Sequence, residues 1–397
     1  MSARGRSVLI GFADALAAPE VAASLLAGGY AVVSFTRRGR PVALRKLRGV
    51  KLVEVTAPEE DLAACMREVA ALAEAHDLTM PLDDQAVFVC DRALPAHTPL
   101  AGPRAAQAHL ALDKRAQLRA AQDAGLTAPP WIELAAGEDA VSALPSDWEF
   151  PTVLKPALAA EEHDGRLRRL APRLISSRAE AATLRHAWGE STPALVQQWV
   201  EGTGGGIFGL ADAGGVHHLS AHRRVRMMNP AGSGSSACAS ASVPPELLSP
   251  VEQMLAKAGW RGMFMVELLR AQERWWFMEL NGRPWGSLAL TRRLGYEYPA
   301  WAAALAFDEE APLPHEPQTS EDVLCRHLGR ELVHLMFVLR GPRAHNGKWP
   351  GRRATVRALL GNPYRSAWYN LGPGMRGVFL DDALQTVANQ TWRKGRA

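Results

Sequence analysis

The sequence is poor in cysteine, in long apolar runs and in net charge. Its four cysteines, at 65, 90, 238 and 325, lie too far apart for metal-ligand or redox spacing. This spacing argues against a zinc knuckle or a disulfide framework and favours a reducing compartment. No apolar run approaches the roughly 20 residues that a membrane span needs. The charge surplus of +4 over 397 residues is too small to imply a nucleic-acid partner unless it is clustered. These shortages predict a soluble, cytoplasmic protein that binds neither membranes nor nucleic acids.

What the chain does contain is an alternation of short apolar runs and amphipathic stretches over its first hundred residues. Strands are predicted at 7–12, 30–35, 50–55 and 78–82, with helices at 19–28 and 58–76. This rhythm predicts a small parallel sheet covered by helices. Gly11 ends the first run, but the segment G-F-A-D-A lacks the three-glycine dinucleotide fingerprint, so a tight turn is the better interpretation.

The rest of the chain is long enough for one or two further domains. The Gly/Ser run at 232–236 predicts a turn bordering a cleft, with a phosphate-binding nest as the alternative, and the small residues at 231–242 could instead form the floor of a substrate pocket. The tail beyond 320 predicts an amphipathic helix at 323–340, a basic Gly/Pro segment and a last helix near 381–393.

Two acidic residues end apolar runs near the middle of the chain. Glu267 lies in M-F-M-V-E-L-L, and Glu279 lies in W-F-M-E-L-N-G-R. The runs before them lack polar alternation, which is typical of strands buried on both faces. Two such strands joined by a turn at 272–273 would bring both carboxylates together. Asn281 stands two residues beyond Glu279 and therefore points to the same side.

Oxygen ligands of this kind suit Mg²⁺, which takes one or two carboxylates and completes its shell with substrate phosphates. A carboxylate at the end of a buried strand is costly unless it is paired or bound to a metal. The alternative is a pair of unrelated strand-end acids that face solvent.

The segment from Gly259 to Ser287 resembles the metal-binding end of the ATP-grasp superfamily, in which a strand glutamate is followed by E-x-N-x-R in the next strand. The resemblance implies that Glu267, Glu279 and Asn281 bind Mg²⁺, or Mn²⁺, ions that bridge ATP phosphates. It also implies that Arg283 meets the reacting carboxyl group or acyl phosphate, for which a guanidinium has a matching geometry.

Other segments resemble the family's motifs in the same order. Lys114 in L-D-K and Lys155 in V-L-K-P resemble its two nucleotide lysines. The segment L-V-Q-Q-W-V-E-G resembles the family's hinge strand, whose backbone reads the adenine edge. The segment H-R-R-V-R resembles the family's basic segment, which holds the γ-phosphate and the transferred group. These two segments supply the candidates Gln197, Gln198, Val200, Glu201, Arg223 and Arg224, of which Arg224 is predicted to be catalytic together with Arg283.

Three positions depart from the family pattern. The stretch 157–172 stands where a Gly-rich phosphate loop is usual, yet it contains only Gly165, so either arginines replace the loop or the loop aligns elsewhere. Gly204 occupies a position that often holds a ribose-binding acid. Gln198 stands where a glutamate is common.

The resemblance implies an α/β and α+β chain with the ATP-grasp fold. It predicts a Rossmann-like pre-ATP-grasp domain at 1–100, an ATP-grasp domain at 101–310 with lobes at about 110–195 and 196–310, and a C-terminal extension at 311–397. The implied activity, with ATP and Mg²⁺, is the ligation of a small carboxylate to an amine through an acyl phosphate. Two alternatives to this activity stay open: a non-amine acceptor and a nucleotide-binding protein without turnover. Whether the chain forms a homodimer stays open as well.

Overall fold

The computed structural model describes residues 5–135, 137–138, 143–189, 192–232, 234–308, 313, 315, 317, 322–342, 349–361 and 365–392. Three sheets and a two-stranded hairpin organise this part of the chain.

The first sheet is parallel, as the sequence predicts, and the structure gives it the strand order β3-β2-β1-β4. The helix after its last strand begins at the carboxyl end of the sheet, where Asp83 accepts a hydrogen bond from the Ala86 backbone nitrogen at 2.7 Å. Ligands of open α/β sheets commonly bind at this edge. The elements are β1 (Ser7–Gly11), α1 (Ala18–Ala27), β2 (Ala31–Arg37), β3 (Val50–Val55), α2 (Leu62–Glu74), β4 (Leu78–Pro81), α3 (Asp84–Ala93), α4 (Ala106–Leu112) and α5 (Lys114–Asp123).

The second sheet is antiparallel, with the order β5-β10-β6-β9. A separate two-stranded hairpin follows β6 and precedes β9 along the chain. The hairpin packs on the first domain, since the Leu167 nitrogen donates to the Pro58 carbonyl at 2.7 Å and the Leu62 nitrogen to the Gly165 carbonyl at 2.9 Å. The elements are β5 (Trp131–Leu134), β6 (Thr152–Pro156), the hairpin strands β7 (Glu161–His163) and β8 (Arg166–Arg168), β9 (Arg173–Ile175), α6 (Arg178–Trp188) and β10 (Ala194–Gln198).

The third sheet has seven strands in the order β15-β14-β11-β12-β13-β16-β17. Its last two strands come from residues beyond 311, so the C-terminal extension continues the sheet of the second lobe. The elements are β11 (Thr203–Asp212), β12 (Gly215–Met227), β13 (Ser235–Ala241), α7 (Pro245–Lys257), β14 (Gly262–Ala271), β15 (Arg274–Asn281), α8 (Leu288–Arg293), α9 (Tyr298–Phe307), β16 (Val323–Arg326), α10 (Leu328–Arg340), α11 (Arg352–Leu360), β17 (Arg365–Trp368) and α12 (Arg376–Trp392).

One prediction about the tail is wrong, and the turn predicted in the small-residue stretch is shorter than expected. The predicted helix at 323–340 is a strand followed by a helix, because V-L-C-R is buried throughout and pairs with both β13 and β17. The turn predicted at 232–236 is confined to the residues before Ser235, where β13 begins. Gly232, Gly234, Ser235 and Cys238 line the cleft described below. The last predicted helix is present as α12, and residue 393 lies outside the described residues.

The buried core joins the extension to the first domain. Val323 and Cys325 of β16 belong to the same apolar cluster as Val8 of β1 and Val21 of α1. Within the described ranges, no helix is long and apolar enough to cross a membrane.

Candidate active site

A cleft of about 1410 Å³ lies where the three sheets meet. Almost all of the sequence-predicted site residues line it, although they come from separate segments of the chain. These residues are Lys114, Lys155, Gln197, Gln198, Val200, Glu201, Arg224, Glu267, Glu279, Asn281 and Arg283. Arg223 is the exception: it is exposed on β12, and alternation along the strand places it on the opposite face from Arg224.

The two acids lie opposite each other on paired strands. Glu267 of β14 and Glu279 of β15 are direct partners in the antiparallel register, next to a bulge between Glu267 and Leu268. Burial raises the pKa of Glu267, and the negative charge of Glu279 raises it further, while Arg224 lowers it. The Asn281 Nδ2 atom donates to Glu279 Oε1 at 3.1 Å. The repulsion between these carboxylates would be relieved by a cation between them.

This donor set fits Mg²⁺ or Mn²⁺. It offers two carboxylates and the Asn281 amide oxygen, whose own nitrogen is occupied by the hydrogen bond to Glu279. Among the described residues, no group of three or more His, Cys, Asp and Glu side chains is placed to hold a metal. A pair of carboxylates is nevertheless sufficient where substrate phosphates supply the remaining ligands.

Arg224 reaches the acid pair from β12. Its Nη2 atom lies 2.7 Å from Glu267 Oε1, and this carboxylate raises the pKa of Arg224. The buried Nε atom has no hydrogen-bond partner in the described part of the chain, which leaves it a donor for a ligand. Arg224 can lie here because position 204 is glycine: a Cβ atom on Gly204 would come within 2.7 Å of Arg224 Cδ. The missing acid at 204 therefore makes room for this guanidinium.

Arg283 enters the cleft just beyond β15 and is held by the first domain. Its Nε atom donates to Asp84 Oδ1 at 2.9 Å, and Asp84 is the first residue of α3. The charge of Arg283 lowers the pKa of Asp84 against the opposing effect of burial. The Arg169 Nη2 atom also lies 3.8 Å from Asp84. One carboxylate thus orients the predicted catalytic arginine.

The two predicted nucleotide lysines enter the cleft from β6 and from the start of α5. Lys155 of β6 donates from Nζ to the Gln197 Oε1 atom at 2.6 Å. Burial lowers the pKa of Lys155 to about 8, the charge of Lys114 lowers it too, and the two glutamates oppose this effect. Lys114 begins α5, and its backbone nitrogen donates to the Ala157 carbonyl at 2.8 Å.

The segment from Trp199 to Gly202 connects the second sheet to the third and forms no strand. Gln197 is buried beneath it, while Glu201 is exposed at the rim of the cleft. This connection is the place where the predicted hinge would offer its backbone to a nucleobase.

The Gly-poor stretch 157–172 is mostly the β7–β8 hairpin. Arg168 is engaged with Glu161 at 2.8 Å, so it serves the hairpin itself. Arg169 and Arg173 line the cleft. Of the arginines within 157–172, Arg169 alone lines the cleft, and Arg173 of β9 follows directly after this stretch.

Sequence reasoning missed several residues of the cleft. Asp84 could have been suspected, since it follows the predicted strand at 78–82 at the ligand-binding edge of a parallel sheet. His222 opens the H-R-R-V-R segment but received no role from the sequence; it is buried, and burial together with the charge of Arg224 lowers its pKa to about 3. Arg330 comes from the C-terminal extension, for which the sequence offers no motif.

Comparison with known proteins establishes the fold. No protein-family model matches the chain, and no curated protein sequence matches it. An L-amino acid ligase from Bacillus licheniformis aligns with 18% identity over 77% of this chain and 75% of that chain, with a TM-score of 0.57. An N5-carboxyaminoimidazole ribonucleotide synthetase, solved with ADP, aligns with 15% identity over 88% and 90% of the two chains, with a TM-score of 0.60.

A third similar structure is the biotin carboxylase domain of the 2-oxoglutarate carboxylase from Hydrogenobacter thermophilus, solved with MgADP, ADP and bicarbonate. It is 16% identical over 79% of this chain and 71% of that chain, with a TM-score of 0.60. Together these likenesses show that the chain has the ATP-grasp fold, and they confirm the predicted fold class.

Proposed function

We propose that this chain is an ATP-dependent, ADP-forming ligase that joins a small carboxylate to an amine. The observation that carries the proposal is a single cleft, in an ATP-grasp fold, that places a facing pair of carboxylates beside four cationic side chains. The acids are Glu267 and Glu279, and the cations are Lys114, Lys155, Arg224 and Arg283.

The nucleotide end of the cleft is formed by the lysines, the acids and the connection at 199–202. Lys114 and Lys155 would neutralise the phosphates, and the backbone around Val200 and Glu201 would meet the adenine edge. Glu267, Glu279 and Asn281 would hold Mg²⁺ or Mn²⁺, which supplies charge neutralisation to the phosphates. The ADP and MgADP in the similar structures support this assignment.

The first chemical step activates the carboxylate. One of its oxygens attacks the γ-phosphorus, the bond to the β,γ-bridging oxygen breaks, and ADP leaves with that electron pair. The product is an acyl phosphate. Arg224 and Arg283 flank the acid pair, so they would hold the carboxylate in line and neutralise its charge.

The second step forms the amide. The neutral amine attacks the acyl carbon, the carbon–oxygen bond to phosphate breaks, and inorganic phosphate leaves while the nitrogen loses a proton. The activation is needed because a free carboxylate has no competent leaving group.

The test is a phosphate-release screen with Mg·ATP, pooled carboxylates including bicarbonate, and pooled amines, with products identified by mass spectrometry. The proposal expects ADP and phosphate in equal amounts, dependent on a carboxylate, and an amide product. ADP formation without any carboxylate would overturn it. If the product contains a thiol or hydroxyl acceptor, the proposed amine acceptor is wrong and that acceptor takes its place. ATP-dependent thermal stabilisation without any turnover would indicate a nucleotide-binding protein.

A further inference from the structure

The C-terminal extension contributes side chains to the cleft, and the roles assigned above leave them unused. Arg330 lies in the first turns of α10, and Tyr369 follows β17. Thr386, Asn389 and Gln390 of α12 line the cleft as well. Arg330 lies beside Ser235 of β13, to whose carbonyl it donates, and Thr386 lies against Gly329, the residue before Arg330.

Arg330 is a guanidinium without a carboxylate partner. Its Nη1 atom donates to the Ser235 carbonyl at 3.0 Å, and no carboxylate of the described residues lies within 4 Å of it. The nearby Arg226 and Arg326 differ, because both pair with Glu331. Burial lowers the pKa of Arg330, whereas Tyr369 and the carboxylate of Asp382, which lies beyond ion-pair distance, oppose this effect. Arg330 thus lines the cleft without a carboxylate in direct contact, and an anion bound there would stabilise its charge.

The position of Arg330 separates it from the nucleotide phosphates. Glu267 lies on β14, and Ser235, to which Arg330 is bound, lies on β13, three strand spacings away in the sheet. At about 4.8 Å per spacing, the three spacings alone span roughly 14 Å. The register adds an offset along the strands, because Ser240 of β13, and not Ser235, lies across from Glu267. A γ-phosphate bound through a metal at the acid pair would lie far from Arg330. Arg224 belongs to β12, between them, and it extends back to Glu267.

The order along the cleft is therefore the acid pair, the reacting centre at Arg224, and then Arg330. We propose that Arg330 binds the carboxylate of the amine substrate, so that the acceptor is an amino acid rather than a simple amine. Planar guanidinium groups match carboxylates in a bidentate geometry. The polar side chains of α12 would then face the rest of the acceptor. This inference rests on the proposed ligase function.

The experiment compares pooled amino acids with the corresponding amino acid amides as acceptors, in the wild type and in Arg330→Gln. The two pools carry the same amines and differ in the carboxylate. The wild type is expected to prefer the amino acids, and Arg330→Gln is expected to lower kcat/KM for them by about 100-fold. The variant should leave the KM for ATP unchanged, keep its activity with the amides and therefore lose the preference. Arg330→Lys should restore part of it.

Arg340→Gln is the matched control, since Arg340 is exposed at the far end of the same helix. It should behave as the wild type. If the wild type uses amino acids and amides equally well but still forms ADP, the inference about Arg330 is overturned and the ligase function stands. This comparison uses the wild type alone, so it holds even if Arg330→Gln fails to fold. An effect of Arg330→Gln on the KM of the carboxylate donor alone would also overturn it. Absence of ADP with every donor would remove the ligase function, and the inference with it.

Discussion

Arg283 donates a hydrogen bond to Asp84 at 2.9 Å, although the two residues are 199 positions apart in the sequence. The contact ties the end of β15 to the first residue of α3. It brings the first domain into the cleft, because the arginine proposed to meet the acyl phosphate is oriented by a carboxylate from the parallel sheet. Asp84 is thus a positioning residue, and its removal should affect both stability and turnover.

Replacing Asp84 with asparagine should lower the free energy of unfolding by about 3 kcal/mol near pH 7, since it leaves a partly buried charge without its partner. The pKa of Asp84 is lowered below its usual value of 3.8. The stabilisation is therefore fully present above pH 4 and is lost as the pH falls further. Denaturant unfolding from pH 3 to pH 8 measures this effect. A difference between wild type and variant that stays constant to pH 3 would contradict it, and Asp147→Asn, at an exposed acid, is the control.

Lys155 should make ATP binding depend on pH. Its pKa is lowered to about 8, so the free protein loses this charge as the pH rises through 8. Because the phosphates bind the protonated form, the Kd for ATP should rise about tenfold between pH 7 and pH 9. Calorimetric titrations check this. Lys155→Met should bind ATP weakly at both pH values, whereas Lys51→Met, at an exposed lysine, should follow the wild type. A wild-type Kd that does not change would refute the role of Lys155.

Substituting Gly204 with alanine should displace Arg224, since the new Cβ would lie 2.7 Å from its Cδ atom. We expect turnover to fall by at least about tenfold because a preorganised charge is lost from the reacting centre. The Kd for ATP should stay within about twofold of the wild-type value. Gly351→Ala is the control, because a Cβ there meets nothing closer than 3.9 Å. Undiminished turnover in Gly204→Ala would show that Arg224 does not require the space.

Glu279→Gln should reduce Mg·ATP turnover by at least about 100-fold while leaving the melting temperature close to that of the wild type. The substitution removes one of two facing carboxylates and retains the shape of the side chain. Glu273→Gln, at an acid whose side chain is 86% exposed in the neighbouring turn, should have no effect. Persistent turnover in Glu279→Gln would mean that the metal assignment is wrong.

The local part of this site could be predicted from the sequence. Glu267 and Glu279 stand at the ends of two apolar runs, and their pairing requires only a short hairpin. The anchoring of Arg283 by Asp84 could not be predicted, because it depends on how two domains pack across 199 residues.

Two other features show the same limit. The four residues of β16 merge into the helical pattern that follows them, so their strand character emerges only from pairing with β13 and β17. Gly204 looks like a missing acid until the position of Arg224 is known.

The most direct test of the ligase proposal follows oxygen from the carboxylate to phosphate. Carboxylates labelled with ¹⁸O are incubated with the protein, Mg·ATP and amines, and the released phosphate is analysed by mass spectrometry. Formation of an acyl phosphate by attack of the carboxylate on the γ-phosphorus predicts one ¹⁸O atom in each phosphate released. Turnover that yields phosphate without the label would contradict the mechanism.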